Sequence, residues 1–408
     1  MYVVERHPDL PSSRPSALNR HHAYLHVAII NHFHLRCAYG PDVGCAAMQQ
    51  LAERLGAWGH VTHLSAGHCL LRVAASETLR LAEDILVQCS FSPIEHLGIT
   101  CLLALAVGPV DYDGHPDALL TIESSTLGWC PSLPAVQYTE QWRASYQAHM
   151  QIALDFVQAL RGGHVGLAFQ PVKQPHDTRT DCYREALLRI GAPSSCQEAG
   201  PADVITSLET LGLVRLLDYC VISKAIALLQ ADPTVKIGCN LSAKSAVNDS
   251  WWLSTVAALS DQPKLAKRLV LELTETVAPD ALPLTARFLS RLKALGAHLA
   301  LDDFGTGASG FALVQCIPFD IIKLDQRYLQ NARLSLDGKE MLHSLVNICK
   351  RLAPEVVIEG VETISDLMQL KPYRDNVWTQ GFFTGKPLGW VQLEDPTQAA
   401  EQGRLNSP

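Results

Sequence analysis

Residues 297–307 read Ala-His-Leu-Ala-Leu-Asp-Asp-Phe-Gly-Thr-Gly. A short apolar run closed by a turn signal is the pattern of a buried strand giving way to a loop. Asp302 and Asp303 therefore fall at the carboxyl end of a strand. Neighbouring strand residues point to opposite faces, but at a strand end both carboxylates can turn toward one ion. Two carboxylates brought together repel unless a proton or cation intervenes. A hard divalent cation with oxygen ligands is the natural remedy. Taken alone, the stretch also fits a solvated acidic turn, so the decision rests on whether the device recurs.

It recurs on both sides. Leu167-Ala-Phe-Gln-Pro171 carries Gln170, and Arg184-Glu-Ala-Leu-Leu-Arg-Ile190 carries Glu185 and Arg189. Val235-Lys-Ile-Gly-Cys-Asn240 ends in Asn240, and Leu269-Val-Leu-Glu-Leu-Thr-Glu275 holds Glu272 and Glu275. Further on come Ile321-Ile-Lys-Leu-Asp325, Val356-Val-Ile-Glu-Gly-Val-Glu362 and Trp378-Thr-Gln-Gly-Phe-Phe383. Helical patterns such as 284–295 and 340–352 lie between them. Strands alternating with helices imply a parallel sheet. About eight such units in roughly 240 residues suit a closed (β/α)8 barrel, whose active site lies at the carboxyl ends of the strands. An oxygen ligand or a cation at nearly every strand end is a functional series, where a single loop charge would not be.

The chain of 408 residues has room for two or three domains. With 48% hydrophobic and 18% charged residues it builds a sizeable core and is not globally disordered. A net charge of −8 argues against broad contact with a nucleic-acid polymer, so an anionic ligand needs a metal or a few basic groups. The twelve cysteines form no C-x-x-C pair and no regular framework. With no secretory signal read at the amino terminus, they are expected as reduced cytoplasmic thiols. No apolar run reaches the roughly 18–20 residues of a membrane span.

Residues 1–20 read as a flexible tail and 21–140 as an α+β domain. Its expected elements are a strand at 24–30, a helix at 43–58, a hairpin over 60–64 and 69–73, a helix at 77–88 and a strand at 98–107. His60, His63 and His68 are taken as incidental residues of a surface hairpin rather than a metal site. Turn signals mark 110–145 as a junction, and apolar spacing over 146–160 predicts a helix opening a second domain at 146–400.

That first domain resembles, in its order of elements, a GGDEF domain, the nucleotide-cyclase fold that makes cyclic di-GMP. Tyr39-Gly-Pro-Asp-Val-Gly44 falls where the family carries a Gly-x-x-x-Gly turn before a helix. The hairpin tip reads Ser65-Ala-Gly-His-Cys69, without the acids of the signature. The family's metal aspartates would fall at Ile29 and Asn31, and its inhibitory Arg-x-x-Asp at residues 56–59, where it is absent. The resemblance implies a degenerate, non-cyclising module for regulation or a protein partner.

The second domain resembles an EAL domain, a family that hydrolyses cyclic di-GMP. The resemblance is carried by Glu185-Ala-Leu187, Asn240-Leu-Ser242, Glu272-Leu-Thr-Glu275, Asp302-Asp-Phe-Gly-Thr-Gly307, Lys323-Leu-Asp325, Glu359-Gly-Val-Glu362 and Gln380-Gly381. It implies two Mg²⁺ or Mn²⁺ ions, one held by Glu185, Asn240, Glu272 and Asp302, the other by Asp302, Asp303 and Glu359. Lys323 would orient and polarise the attacking water, Glu359 would assist proton transfer, and Glu275 would hold the Asp-Phe-Gly loop. Arg189 would meet a phosphate oxygen, with Gln170, Leu187, Asp325, Glu362 and Gln380 shaping the substrate site. The product would be linear pGpG, the assembly a homodimer through the barrel, and the outcome motility over biofilm. Two departures stand out. Ala308 occupies a position where the family carries Tyr, and 191–203 lacks the usual Trp/His-rich form. The rival readings are a receptor that binds cyclic di-GMP without cleaving it, and an interaction scaffold that binds no nucleotide.

Overall fold

The computed structural model describes residues 22–75, 78–112, 133, 136–177, 180–191, 200–274, 277–278, 281–307, 310–373 and 376–398. The amino-terminal part contains β1 (His22–Ile29), α1 (His32–Tyr39), α2 (Pro41–Leu55), β2 (His60–Ser65), β3 (His68–Ala74) and α3 (Thr78–Ser90). β4 (Ile94–His96), β5 (Ile99–Cys101) and β6 (Leu105–Val110) follow. Strand order is β2-β3-β1-β6, with β1 antiparallel to both neighbours.

The helix read at 43–58 is the single helix Pro41–Leu55, opened by Pro41 after Gly40 at φ 104° has turned the chain out of α1, a short helix that the sequence reading did not include. One expectation is corrected here. The strand at 98–107 is two, β5 and β6, because buried Asn31 takes up the intervening backbone. Its amide donates to Leu102 O (3.1 Å) and its carbonyl accepts from Ala104 N (3.0 Å). Asn31, at a position where the cyclase resemblance called for a metal carboxylate, is thus satisfied structurally by neutral partners.

Helix α4 (Glu140–Arg161) joins the two parts. It starts earlier than the expected 146 because the Thr139 hydroxyl accepts from Trp142 N, supplying an N-cap. Tyr146, Met150, Ala153, Val157 and Leu160 form its buried face. Leu102 N contacts the Met150 sulfur, and Arg161 donates to Phe91 O. Burial of each large side chain on that stripe contributes about 2 kcal/mol.

The barrel is built from β7 (Val165–Lys173), β8 (Asp181–Ile190), α5 (Pro201–Leu211), α6 (Val214–Ala231), β9 (Ile237–Asn240), α7 (Leu253–Asp261) and α8 (Pro263–Ala266). β10 (Leu269–Thr274), α9 (Leu282–Ala294), β11 (His298–Phe304), α10 (Gly310–Cys316), β12 (Ile321–Leu324), α11 (Gln326–Leu334) and α12 (Leu336–Leu352) continue it. β13 (Glu355–Ile358), α13 (Ile364–Leu370), β14 (Val377–Thr379) and β15 (Leu388–Gln392) complete it. β7 to β14 form an eight-strand barrel closed by the Thr379–Lys173 pairing, with β15 added outside β7. The all-parallel expectation is corrected at one strand, since β7 runs antiparallel to β8 and β14. Only residues 174–180 separate β7 from β8, and a parallel crossover needs a dozen or more.

Strand alternation positions the site. A small apolar cluster of Val172, Tyr183, Val270, Ala300, Ile321 and Val357 plugs the barrel interior. Two residues further along, on the same inward face, stand Glu185, Glu272, Asp302, Lys323 and Glu359; on antiparallel β7 the step runs backwards, to Gln170. The interior is thus apolar in one layer and polar in the next. No helix among the described residues is long and apolar enough to cross a membrane.

Candidate active site

Lys323 lies at the centre of the polar layer with its side chain 1% exposed, and four carboxylates share its ammonium. Glu272 Oε2 is at 2.6 Å, Asp302 Oδ1 and Glu359 Oε1 at 3.0 Å, and Glu185 Oε2 at 3.1 Å. Asn240 Nδ2 donates to Glu185 Oε1 (2.8 Å), and Gln380 Nε2 donates to Glu185 Oε2 (2.6 Å) and to Gln170 Oε1 (3.3 Å). One ammonium cannot neutralise four carboxylates. Burial pushes Glu272 well above the usual carboxylate range against the pull of Lys323, and raises Asp302 in the same way. Burial also opposes ionisation of Glu185, but Lys323, Gln380 and Asn240 together hold it below its ordinary value. Burial disfavours the charged Lys323, yet Asp302, Glu185, Glu272 and Glu359 raise its pKa well above that of a free lysine. The ammonium stays charged and the excess negative charge is taken up by protons or by cations.

Asp302 and Asp303 face the same space because β11 is irregular at that point. Leu301 pairs with Ile322 and Phe304 with Leu324, so β11 spends one residue more than β12, which is a β-bulge. Asp303 takes φ 54°, in the left-handed region that Asp tolerates better than most residues. The second carboxylate of the pair is thereby turned inward. Single ligand atoms of Asp302, Asp303 and Glu359 lie within 4.8 Å of one another, as do those of Glu185, Glu272 and Asp302.

A cavity of about 300 Å³ opens above this layer. Gln170, Glu185, Leu187, Asp302, Asp303, Lys323, Asp325, Gln326, Glu359, Gly360, Glu362, Gln380, Gly381 and Phe382 line it. Asn240 and Glu272 belong to the layer beneath. Asp325 caps α11 by accepting from Arg327 N and also meets Arg327 Nε at 2.8 Å, while Glu362 pairs with Arg333 at 3.0 Å. Arg189, on the same β8 face as Glu185 and Leu187, is not among the lining residues and donates to its neighbour Leu188 O. Glu275 and Ala308 lie outside the described residues, as do 192–199 of the altered stretch.

The donors suit a hard divalent cation. They are all carboxylate or carboxamide oxygens, and Glu272 Oε1, wholly buried, has no hydrogen-bond partner among the described residues.

Sequence reasoning missed Gly238. A Cβ built there would overlap the Glu272 carboxylate and stand 2.5 Å from the Tyr183 ring. Nothing in a lone strand glycine announces this, although a glycine inside a strand does signal close approach. Gly238→Ala is expected to destabilise the fold by about 1–3 kcal/mol and to weaken Mn²⁺ binding, read by denaturant unfolding and calorimetry.

The carboxyls also set a pH signature. Burial raises Glu359 from 4.5 to about 8 and Asp303 from 3.8 to about 6. Without metal, the folded chain holds more protons than the unfolded chain between the ordinary and the raised values. The stability from these two groups is therefore present at low pH and lost progressively as pH rises above about 4, the loss being complete near 6 for Asp303 and near 8 for Glu359. Cations compete with those protons. Mg²⁺ is thus expected to raise Tm more at about pH 8 than at about pH 5.5, and an equal shift at both would contradict this account.

The family model described as EAL domain matches residues 153–387. Cyclic di-GMP phosphodiesterase NbdA of Pseudomonas aeruginosa is 28% identical over 76% of this chain and 41% of its own length. Cyclic di-GMP phosphodiesterase PdeB of Shewanella oneidensis is 27% identical over 58% of this chain and 28% of its own. The chain spans less than half the length of these curated relatives. Among solved structures, the PaMucR phosphodiesterase in complex with c-di-GMP superposes with a TM-score of 0.51 at 28% identity, over 58% of this chain and 97% of that one. The FimX EAL domain superposes with a TM-score of 0.51 at 24% identity, over 58% of this chain and 95% of that one. With more than half of its length matched by that family model, and an acid-lined barrel mouth at the matched motifs, the chain belongs to the EAL domain family.

Proposed function

We propose that the chain hydrolyses cyclic di-GMP to linear pGpG with two bound Mg²⁺ or Mn²⁺ ions. One observation carries this reading: the acids from successive strands converge on Lys323 in a single buried layer under an open cavity. Six carboxylates against one ammonium line that cavity, so a phosphodiester dianion is repelled until cations offset the charge. Glu185, Asn240, Glu272 and Asp302 would hold one ion, and Asp302, Asp303 and Glu359 the other. Bound cations at such a site activate water and neutralise charge developing on the phosphorus oxygens.

The chain's own groups do the rest. Lys323 orients the water through its ammonium protons, and Glu359, a carboxyl whose pKa lies near neutrality, accepts a proton at its carboxylate. Gln380 fixes Glu185 from the side and also donates to Gln170. Leu187, Asp325 and Glu362 shape the mouth. Arg189 would reach a phosphate oxygen after giving up its bond to Leu188 O. Glu275 would hold the Asp-Phe-Gly loop.

The same reading assigns 1–20 to a tail, 21–140 to a degenerate cyclase-like regulatory module and 146–400 to the phosphodiesterase, in the cytoplasm. Partner docking through the amino-terminal module belongs to it as well. Exposed Leu334, Leu336, Met341, Ile364 and Met368 on α11, α12 and α13 favour a homodimer through the barrel. Incubating the chain with cyclic di-GMP and Mn²⁺ and separating the products tests the reaction. Conversion to pGpG is the expected result. Intact dinucleotide with micromolar binding would make the chain a receptor, and neither binding nor turnover would leave a scaffold.

A further inference from the structure

The second group of acids, Asp302, Asp303 and Glu359, draws its members from the end of β11 and from the loop after β13, and their separation needs something that spans both. Helix α11 spans them. Near its start the Tyr328 hydroxyl donates to Gly305 O at 2.5 Å, two residues beyond the left-handed Asp303. A strained backbone position persists only where its surroundings over-determine it, and this bond ties down the turn that follows it. Gly305 itself sits at φ 91°, and a Cβ there would overlap the Tyr328 hydroxyl. The contact therefore requires glycine.

Near the end of the same helix, Arg333 grips the other loop. Its Nε and Nη2 make a fork on the two oxygens of Asp366, both at 2.8 Å, Nη2 also donates to Gly360 O (2.8 Å), and Nη1 donates to Glu362 (3.0 Å). Asp366, fully buried, accepts in turn from Glu362 N and Thr363 N. The loop from Glu359 to Thr363 is thus held at one backbone oxygen, two backbone amides and the Glu362 side chain by one bidentate pair. Neither Tyr328 nor Arg333 is among the cavity's lining residues.

We propose that Tyr328 and Arg333 are positioning residues that set the Asp303 turn and the Glu359 loop at the spacing one cation requires. The proposal rests on the reading that Asp302, Asp303 and Glu359 hold an ion. Outer-shell partners of ligating carboxylates typically change metal affinity or activity 10–100-fold.

The test uses Tyr328→Phe, Arg333→Lys and Arg333→Gln in the full chain, with Mn²⁺ as the probe in nucleotide-free protein. Tyr328→Phe removes a single oxygen, so the test survives if an Arg333 variant folds poorly. The weaker of two Mn²⁺ affinities is expected to fall on the order of 10-fold or more in each folded variant, while the other stays within about twofold. The Mn²⁺ concentration for half-maximal kcat should rise in step, with KM for cyclic di-GMP unchanged and kcat restored at high Mn²⁺. Variants that bind both ions like wild type and lose only thermal stability would overturn the proposal and leave the hydrolase reading standing. A wild type that binds no Mn²⁺ would overturn that reading, and the proposal with it.

Discussion

Lys323→Met is expected to lower cyclic di-GMP turnover by about 10³-fold, within the 10²–10⁴ range for a positioned proton-transfer group. Met keeps an unbranched side chain one atom shorter and removes the charge that Glu185, Glu272, Asp302 and Glu359 all touch. Breaking a buried ion pair by removing one partner costs about 3–5 kcal/mol, so the metal-free variant should also unfold more easily. Two opposing responses to Mn²⁺ make the result specific. Cations should restore the stability of the variant, because they neutralise the carboxylates, but not its kcat, because they do not replace the ammonium beside the water. Recovery of both would reduce Lys323 to a charge filler.

Asp302→Asn is expected to be the most damaging change among the acids, with loss of both Mn²⁺ ions and a fall in kcat of at least about 10²–10³-fold, given the several kcal/mol of charge stabilisation at stake. Asp302 is the member common to both acid groups, so one substitution weakens two sites. Asp303→Asn serves as the contrast. Asn is at home at φ 54°, so the turn survives and only one charge is lost. It should lower the affinity for one ion and spare the other. Equal stoichiometric losses in the two variants would contradict the shared-ligand arrangement.

The barrel was legible where the physics is local. An inward apolar residue followed two positions later by a polar one, as Val270 to Glu272 or Ile321 to Lys323, follows directly from strand alternation and could be read along the chain. The antiparallel β7 was also within reach, since 174–180 is too short for a crossover helix. Other features depend on partners distant in sequence. The inward turn of Asp303 needs a bulge against β12, the role of Gly238 needs Glu272 from the next strand, and Arg333 acquires its meaning from Asp366. The resting contact of Arg189 was not legible either, since its side chain turns to Leu188 O. In the amino-terminal part the split of 98–107 follows from the hydrogen bonds of Asn31, which no periodicity encodes.

The most direct test of the central claim is hydrolysis of cyclic di-GMP by wild type and Glu185→Ala side by side, each with and without Mn²⁺. Glu185 touches Lys323, Asn240 and Gln380 at once, so it reports on the whole layer. The expected result is pGpG from wild type with Mn²⁺ and from no other combination. Equal product from the variant, or product without a divalent cation, would contradict a metal-dependent phosphodiesterase at this barrel mouth.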